Sequence, residues 1–174
     1  MLRGASVTLV TGPTSLTPPP FTTVIPITSA EDMYQAVVKE QPNQDIIIKA
    51  AAVADYTPAN VATQKMKKSD QDLSIELNRT KDILLHLGTH RVDNQFLCGF
   101  SMETENVIEN SRKKLVKKNV DMIAANSISS EGTGFQSDTN QLTLITKESE
   151  IILPKLSKDE TAHRLLNEIL MKMN

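Results

Sequence analysis

The run Asp45-Ile46-Ile47-Ile48-Lys49, continuing into Ala50-Ala51-Ala52-Val53-Ala54-Asp55-Tyr56-Thr57-Pro58, decides the fold class. Three successive isoleucines between polar residues are too uniformly apolar for a strand with one wet face. They predict a strand covered on both sides, as in a parallel sheet layered between helices. The alanine-rich stretch behind it then marks the carboxyl end of that strand, where open α/β sheets bind ligands.

Working outward, three more runs have this character. They are Ser6-Val7-Thr8-Leu9-Val10 (stopped by Thr11-Gly12-Pro13), Gln95-Phe96-Leu97-Cys98-Gly99-Phe100 and Asp121-Met122-Ile123-Ala124-Ala125. Thr23-Val24-Ile25-Pro26-Ile27 reads as a shorter strand that Pro26 pushes toward a sheet edge. Helical patterns lie between them. Thr28-Ser29-Ala30-Glu31 has capping-box spacing ahead of Met33, Ala36 and Val37, and Thr80 can cap Asp82-Ile83-Leu84-Leu85. Thr104 begins a helix carrying Ile108, Ser111 and Leu115. Ser157-Lys158-Asp159-Glu160 is a second capping box, before Ala162, Leu165, Leu166, Ile169 and Leu170. Gln141–Thr146 and Glu150–Leu153, separated by Lys147-Glu148-Ser149, predict an antiparallel hairpin. The expected fold is therefore α/β and Rossmann-like: a mainly parallel sheet flanked by helices, with a C-terminal β-hairpin, in one domain over 1–174.

Composition agrees and excludes much. Of 174 residues, 39% are hydrophobic and 23% charged, and with no Trp, 2 Tyr and 4 Phe the core must be aliphatic. A formal charge of −2 argues against a nucleic-acid partner. No apolar run approaches the ~20 residues that span a bilayer, and the start lacks the layout of a secretory signal. The single cysteine, Cys98, cannot form an internal disulfide. A cytoplasmic domain is the expectation. No GxGxxG follows any strand, which disfavours a nicotinamide-dependent oxidoreductase.

Three stretches bear on chemistry. In the first, the alanines from Ala50 and Ala51 onward leave the strand with little side-chain bulk, so a flat ring or phosphate can approach the backbone, and Asp55 can accept hydrogen bonds from a base or ribose; a tight crossover packed on a helix explains the same residues. In the second, Lys65-Met66-Lys67-Lys68 suits either a solvated surface or a basic loop closing over phosphates. In the third, Lys114 and Lys118 share one helical face, where like charges repel unless an anion lies between them. A basic helix end favoured by the dipole is the plainer reading. Phe100 suits ring stacking or core packing alike. His86 and His90 are four apart but lack a third ligand, and Cys98 in an apolar strand is packing rather than nucleophile.

Taken in order, these segments resemble the bacterial phosphopantothenate–cysteine ligase, the synthetase domain of the bifunctional coenzyme A biosynthesis flavoprotein. The resemblance runs through RGASVTLVTGPT (3–14), TSAEDMYQAV (28–37), KAAAVADYTP (49–58), KMKK (65–68) and TKDIL (80–84). It continues in GFSMETEN (99–106), KLVKKNVDMIAAN (114–126), FQSDTNQLTLI (135–145) and SKDETAHRLLNEIL (157–170). It implies a CTP- and Mg²⁺-dependent ligation of 4′-phosphopantothenate to L-cysteine through an acyl-cytidylate, releasing pyrophosphate and then CMP, by a homodimer. It implies that Lys49, Ala50, Ala51 and Asp55 touch the nucleotide, and that Lys65 is a catalytic loop lysine on the triphosphate. Lys81, Asp82, Ile83 and Leu84 are implied to contribute backbone contacts, Phe100 to lie beside the base, and Lys114 and Lys118 to form a lysine pair on CTP. Ser127 replaces an acid usual after Ala-Asn, and Gln136 a common glycine.

The family's first strand and its asparagine-containing segment have no counterpart before Met1. The expectation is accordingly an N-terminally truncated synthetase domain, with the edges left by a missing strand unpaired and no FMN. The alternative is a non-catalytic nucleotide-binding fragment of the same family.

Overall fold

The computed structural model describes residues 3–62, 64–66, 73–103, 105–127 and 139–173. Thr104, Lys67, Lys68 and Gln136 lie outside them. In chain order the elements are β1 (Thr8–Thr11), β2 (Thr23–Pro26), α1 (Ala30–Glu40), a 3₁₀ turn (Gln41–Asn43), β3 (Ile46–Lys49), β4 (Tyr56–Pro58), β5 (Leu77–Arg79) and α2 (Ile83–Thr89). They continue with β6 (Phe96–Glu103), α3 (Val107–Lys118), β7 (Met122–Ser127), β8 (Thr139–Asn140), β9 (Leu142–Ile145), β10 (Glu150–Ile152), β11 (Leu156–Ser157) and α4 (Lys158–Met173). The chain divides into two compact units: Met1–Lys39 with Ala52–Asp82, and Glu40–Ala51 with Ile83–Asn174.

The second unit is built on a five-stranded sheet of order β10-β9-β7-β6-β3. Strands β3, β6 and β7 run parallel, and the β9–β10 hairpin adds antiparallel to β7, as the sequence predicts. One face carries Phe96, Cys98, Met122, Ala124, Leu142 and Leu144 and is covered by Leu165 and Ile169 of α4. On the other face Ser101 meets Ser111 of α3, their hydroxyls 3.0 Å apart and buried. In α4 the buried stripe is Thr161, Leu165 and Ile169, while Ala162 and Leu170 are exposed. A spacing of four keeps one narrow line of side chains on the sheet, so the expected broader face is trimmed on both flanks. The Ser157 box forms: the Glu160 amide donates to Ser157 Oγ at 3.2 Å and the Ser157 hydroxyl to the Glu160 carboxylate at 2.8 Å.

In the first unit β1 and β2 form a parallel pair, and β4 and β5 an antiparallel ribbon. The helix α1 is capped one residue later than its sequence suggests. Ser29 caps it, with Asp32 returning the bond to the Ser29 amide at 2.9 Å, and Glu31 turns instead to Lys81 at 2.7 Å. The ion pair available to Glu31 leaves the shorter Asp32 to complete the box.

Two burial expectations are corrected. The strand β1 is only half-buried, and Ile48 of β3 is 38% exposed. Among the described residues each strand has one hydrogen-bonded neighbour, β2 and β6 respectively, so neither has the doubly flanked position that its apolar run suggests. The helix α3 begins at Val107 behind Asn106, which holds a left-handed φ of 49°.

Candidate functional site

Register brings the first group together. Lys49 pairs with Gly99, so Ala50 and Ala51 leave the carboxyl end of β3 beside Phe100, which lies mid-strand rather than at the expected strand end because β6 runs on to Glu103. Ala50 and Ala51 are exposed, and the Lys49 ammonium curls back to donate to the Ala51 carbonyl at 2.8 Å. At Gly99 a Cβ would stand 2.6 Å from Leu84 Cδ2, so a larger residue here would make that leucine side chain shift. Ile83 and Leu84 are buried, 3% and 6% exposed. Their side chains are taken up by the core.

Phe100 packs against the α4-side core. Its neighbour Ser101 points to α3. Lys114 and Lys118 ride on α3, half-buried on either side of fully buried Leu115. Phe100 and the lysine pair therefore occupy opposite faces of one sheet. Two further α3 cations reach carboxylates: Lys113 meets Glu109 at 2.6 Å and Arg112 meets Glu150 at 3.0 Å.

The second group belongs to the other unit. Tyr56 pairs with Arg79, which brings Asp55 beside Thr80. The Thr80 amide donates to the Asp55 carbonyl at 3.0 Å and its hydroxyl to the Ala54 carbonyl at 2.6 Å. The hydroxyl is thus turned to this loop, which corrects the expected role as a cap for α2. Lys81 sends its ammonium to Glu31 at 2.7 Å and over the Tyr34 ring, 4.5 Å from the centroid. The Lys81 ammonium, followed by the Gln35 amide, holds the Glu31 carboxyl below its ordinary range. Lys65 is exposed, on the stretch between β4 and β5.

The weaker candidates stay structural. The His86 and His90 rings stack at 4.0 Å, and His90 Nδ1 lies 3.1 Å from the His86 carbonyl and 3.0 Å from the Thr89 hydroxyl. Burial pushes the Cys98 thiol up to about 12, which keeps it protonated and inert. Among the described residues no three His, Cys, Asp or Glu side chains gather as metal ligands, and no helix is long and apolar enough to cross a membrane.

Sequence reasoning missed Thr80 in this role, and missed Gly88, where a Cβ would come 1.8 Å from the Lys118 carbonyl oxygen. An isolated glycine in a helical pattern is the signal that could have found the second; nothing local marks the first.

Residues 1–173 match the family model described as the DNA/pantothenate metabolism flavoprotein C-terminal domain. The chain belongs to that family. It is 44% identical over 168 residues to the coenzyme A biosynthesis bifunctional protein CoaBC of Bacillus subtilis (strain 168), covering 95% of the chain and 41% of the relative. It is 45% identical to the CoaBC of Vibrio cholerae serotype O1, covering 95% of the chain and 42% of that protein. The chain thus spans under half of these relatives. A crystal structure of a C-terminal domain of CoaBC superposes with a TM-score of 0.81 at 42% identity, covering 98% of this chain and 76% of the other. Family membership fits the mainly parallel sheet and the alanine-lined exit of β3.

Proposed function

We propose that this member of the flavoprotein C-terminal domain family is a CTP-dependent ligase domain of coenzyme A biosynthesis, joining 4′-phosphopantothenate to L-cysteine. The observation that carries the reading is the exit of β3. Exposed alanines without side-chain bulk leave the carboxyl end of β3 beside Phe100 of β6, an arrangement suited to a nucleotide. The substrate carboxylate attacks the α-phosphorus of CTP, and pyrophosphate leaves. The cysteine amine then attacks the acyl carbon of the cytidylate, loses a proton, and CMP departs with the bonding pair. The protein supplies position and charge.

In this reading Lys49, Ala50, Ala51 and the backbone of 81–84 line the nucleotide, Asp55 accepts from base or ribose, and Phe100 stands by the base. Lys65 meets the triphosphate and supports turnover of the intermediate, and Lys114 and Lys118 balance phosphate charge. Mg²⁺, when bound on the triphosphate, offsets part of its charge. A second copy of the chain is the proposed partner. The β4–β5 ribbon leaves Tyr56 and Leu77 more than half exposed on both its strands, with nothing in its own sheet to cover them.

The test is titration of the chain with CTP and with ATP in Mg²⁺, repeated with Lys114→Ala. CTP binds at micromolar concentration, and Lys114→Ala weakens it about tenfold, 1.4 kcal/mol. A folded chain that binds neither nucleotide sinks the proposal. One observation favours the second reading, nucleotide binding without turnover: Phe100 and the α3 lysines do not converge on one face. Cysteine-dependent release of pyrophosphate separates the two.

A further inference from the structure

The segment that leaves β3, Ala50-Ala51-Ala52-Val53-Ala54, has no side chain able to make a hydrogen bond. Whatever holds it must therefore come from elsewhere in the chain. At its start the Lys49 ammonium takes the Ala51 carbonyl at 2.8 Å. At its end Thr80 takes two consecutive carbonyls, Ala54 through the hydroxyl at 2.6 Å and Asp55 through the amide at 3.0 Å. Beyond Asp55 the chain runs into β4, whose residues are all exposed, as are those of its partner β5. Side-chain packing therefore gives Asp55 little support, and an exposed two-stranded ribbon is marginal on its own. Thr80 is itself anchored from the next residue: Lys81 is held by Glu31 at 2.7 Å and lies over the Tyr34 ring, both on α1.

We propose that Thr80 is a positioning residue: its paired hydrogen bonds to Ala54 and Asp55 fix the loop that presents the Asp55 carboxylate, and the contact of Lys81 with Glu31 and Tyr34 steadies Thr80 from α1. The inference rests on the reading of Asp55 as a nucleotide contact. Thr80 touches no substrate; it acts through the loop. A threonine suits the task because its amide and its hydroxyl diverge enough to reach two successive carbonyls. Alanine keeps the first bond and loses the second, whereas serine keeps both.

The experiment uses the full 174-residue chain and four variants: Thr80→Ala, Thr80→Ser, Asp55→Asn, and Thr80→Ala with Asp55→Asn. CTP affinity in Mg²⁺ is read by calorimetry, and hydrogen exchange over residues 50–58 is read without nucleotide. Thr80→Ala weakens CTP by about tenfold and speeds exchange over 50–58, while Thr80→Ser stays within about twofold of the parent in both. In the Asp55→Asn background Thr80→Ala adds less than about twofold, because two residues acting through one contact are not additive. The proposal is overturned if Thr80→Ala exchanges like the parent, if Thr80→Ser fails as fully as alanine, or if the effects of Thr80→Ala and Asp55→Asn multiply. A parent chain that binds no CTP removes the nucleotide reading, and the exchange result then decides by itself whether Thr80 holds the loop.

Discussion

The strands β6 and β7 and the strands β4 and β5 put similar residues to opposite ends. In the first pair Leu97, Cys98, Met122, Ile123 and Ala124 are almost completely buried, with helices supplying the cover. In the second, Tyr56 and Leu77 stand 52% and 53% exposed in a ribbon of two short strands. The difference is one of neighbours. A strand paired on both sides and covered on both faces buries every residue, and a two-stranded ribbon has no such cover. The candidate residues are divided between these settings: Phe100, Ile83 and Leu84 belong to the packed unit, and Asp55, Lys65, Lys81 and Asp82 to the open one.

The contrast can be broken most directly at Ile169, fully buried under the five-stranded sheet. Ile169→Ala costs about 3–4 kcal/mol in urea unfolding, through lost transfer energy and the cavity left behind. Gly88→Ala comes next, at about 2–3 kcal/mol. The added Cβ meets the Lys118 backbone at 1.8 Å, and neither helix has a flexible atom to move aside. Both substitutions fall in the second unit.

The caps sharpen the comparison, because each unit has one. Hydrogen bonds from Ser157 hold the Glu160 carboxyl below its ordinary range, and Ser29 and Thr28 do the same for Asp32. A depressed carboxyl contributes stability that is complete above its unfolded value and is lost as the pH falls through the folded one. Ser157→Ala therefore lowers the melting temperature at pH 7 by about 2–4 °C. The deficit shrinks below the ordinary carboxylate value of 4.5 as Glu160 protonates in the parent, down to the share carried by the Glu160 amide on Ser157 Oγ. A deficit that grows on acidification contradicts the assignment.

The smallest effect is a gain. Phe21 is 94% exposed and holds φ at 62°, a left-handed conformation that a bulky side chain rarely adopts. Phe21→Gly relieves that strain without losing packing, stabilising the chain by up to about 1 kcal/mol in the same urea assay.

The strands of the packed unit were legible, because an apolar run carries its own signal. The runs at 95–100 and 121–125 became β6 and β7, and the hairpin at 141–153 became β9 and β10. The run at 45–49 gave the strand but not its burial, since burial depends on what pairs beside it. The candidate residues were legible as an ordered set of motifs. Their grouping was not. That Lys49 lies opposite Gly99, that Phe100 and Lys114 face opposite ways, and that Thr80 serves Ala54 rather than α2 all follow from register and pairing.

By itself the sequence determined the α/β class, the aliphatic core and the capping box at Ser157. Those properties are written in composition and local spacing, which persist whatever the partners. Tertiary structure alone decided which strands were flanked, which carbonyls Thr80 would hold, and that the glycines at 88 and 99 are points of close approach. Such facts depend on atoms far apart in the chain meeting in space, and no local pattern encodes a distance between them.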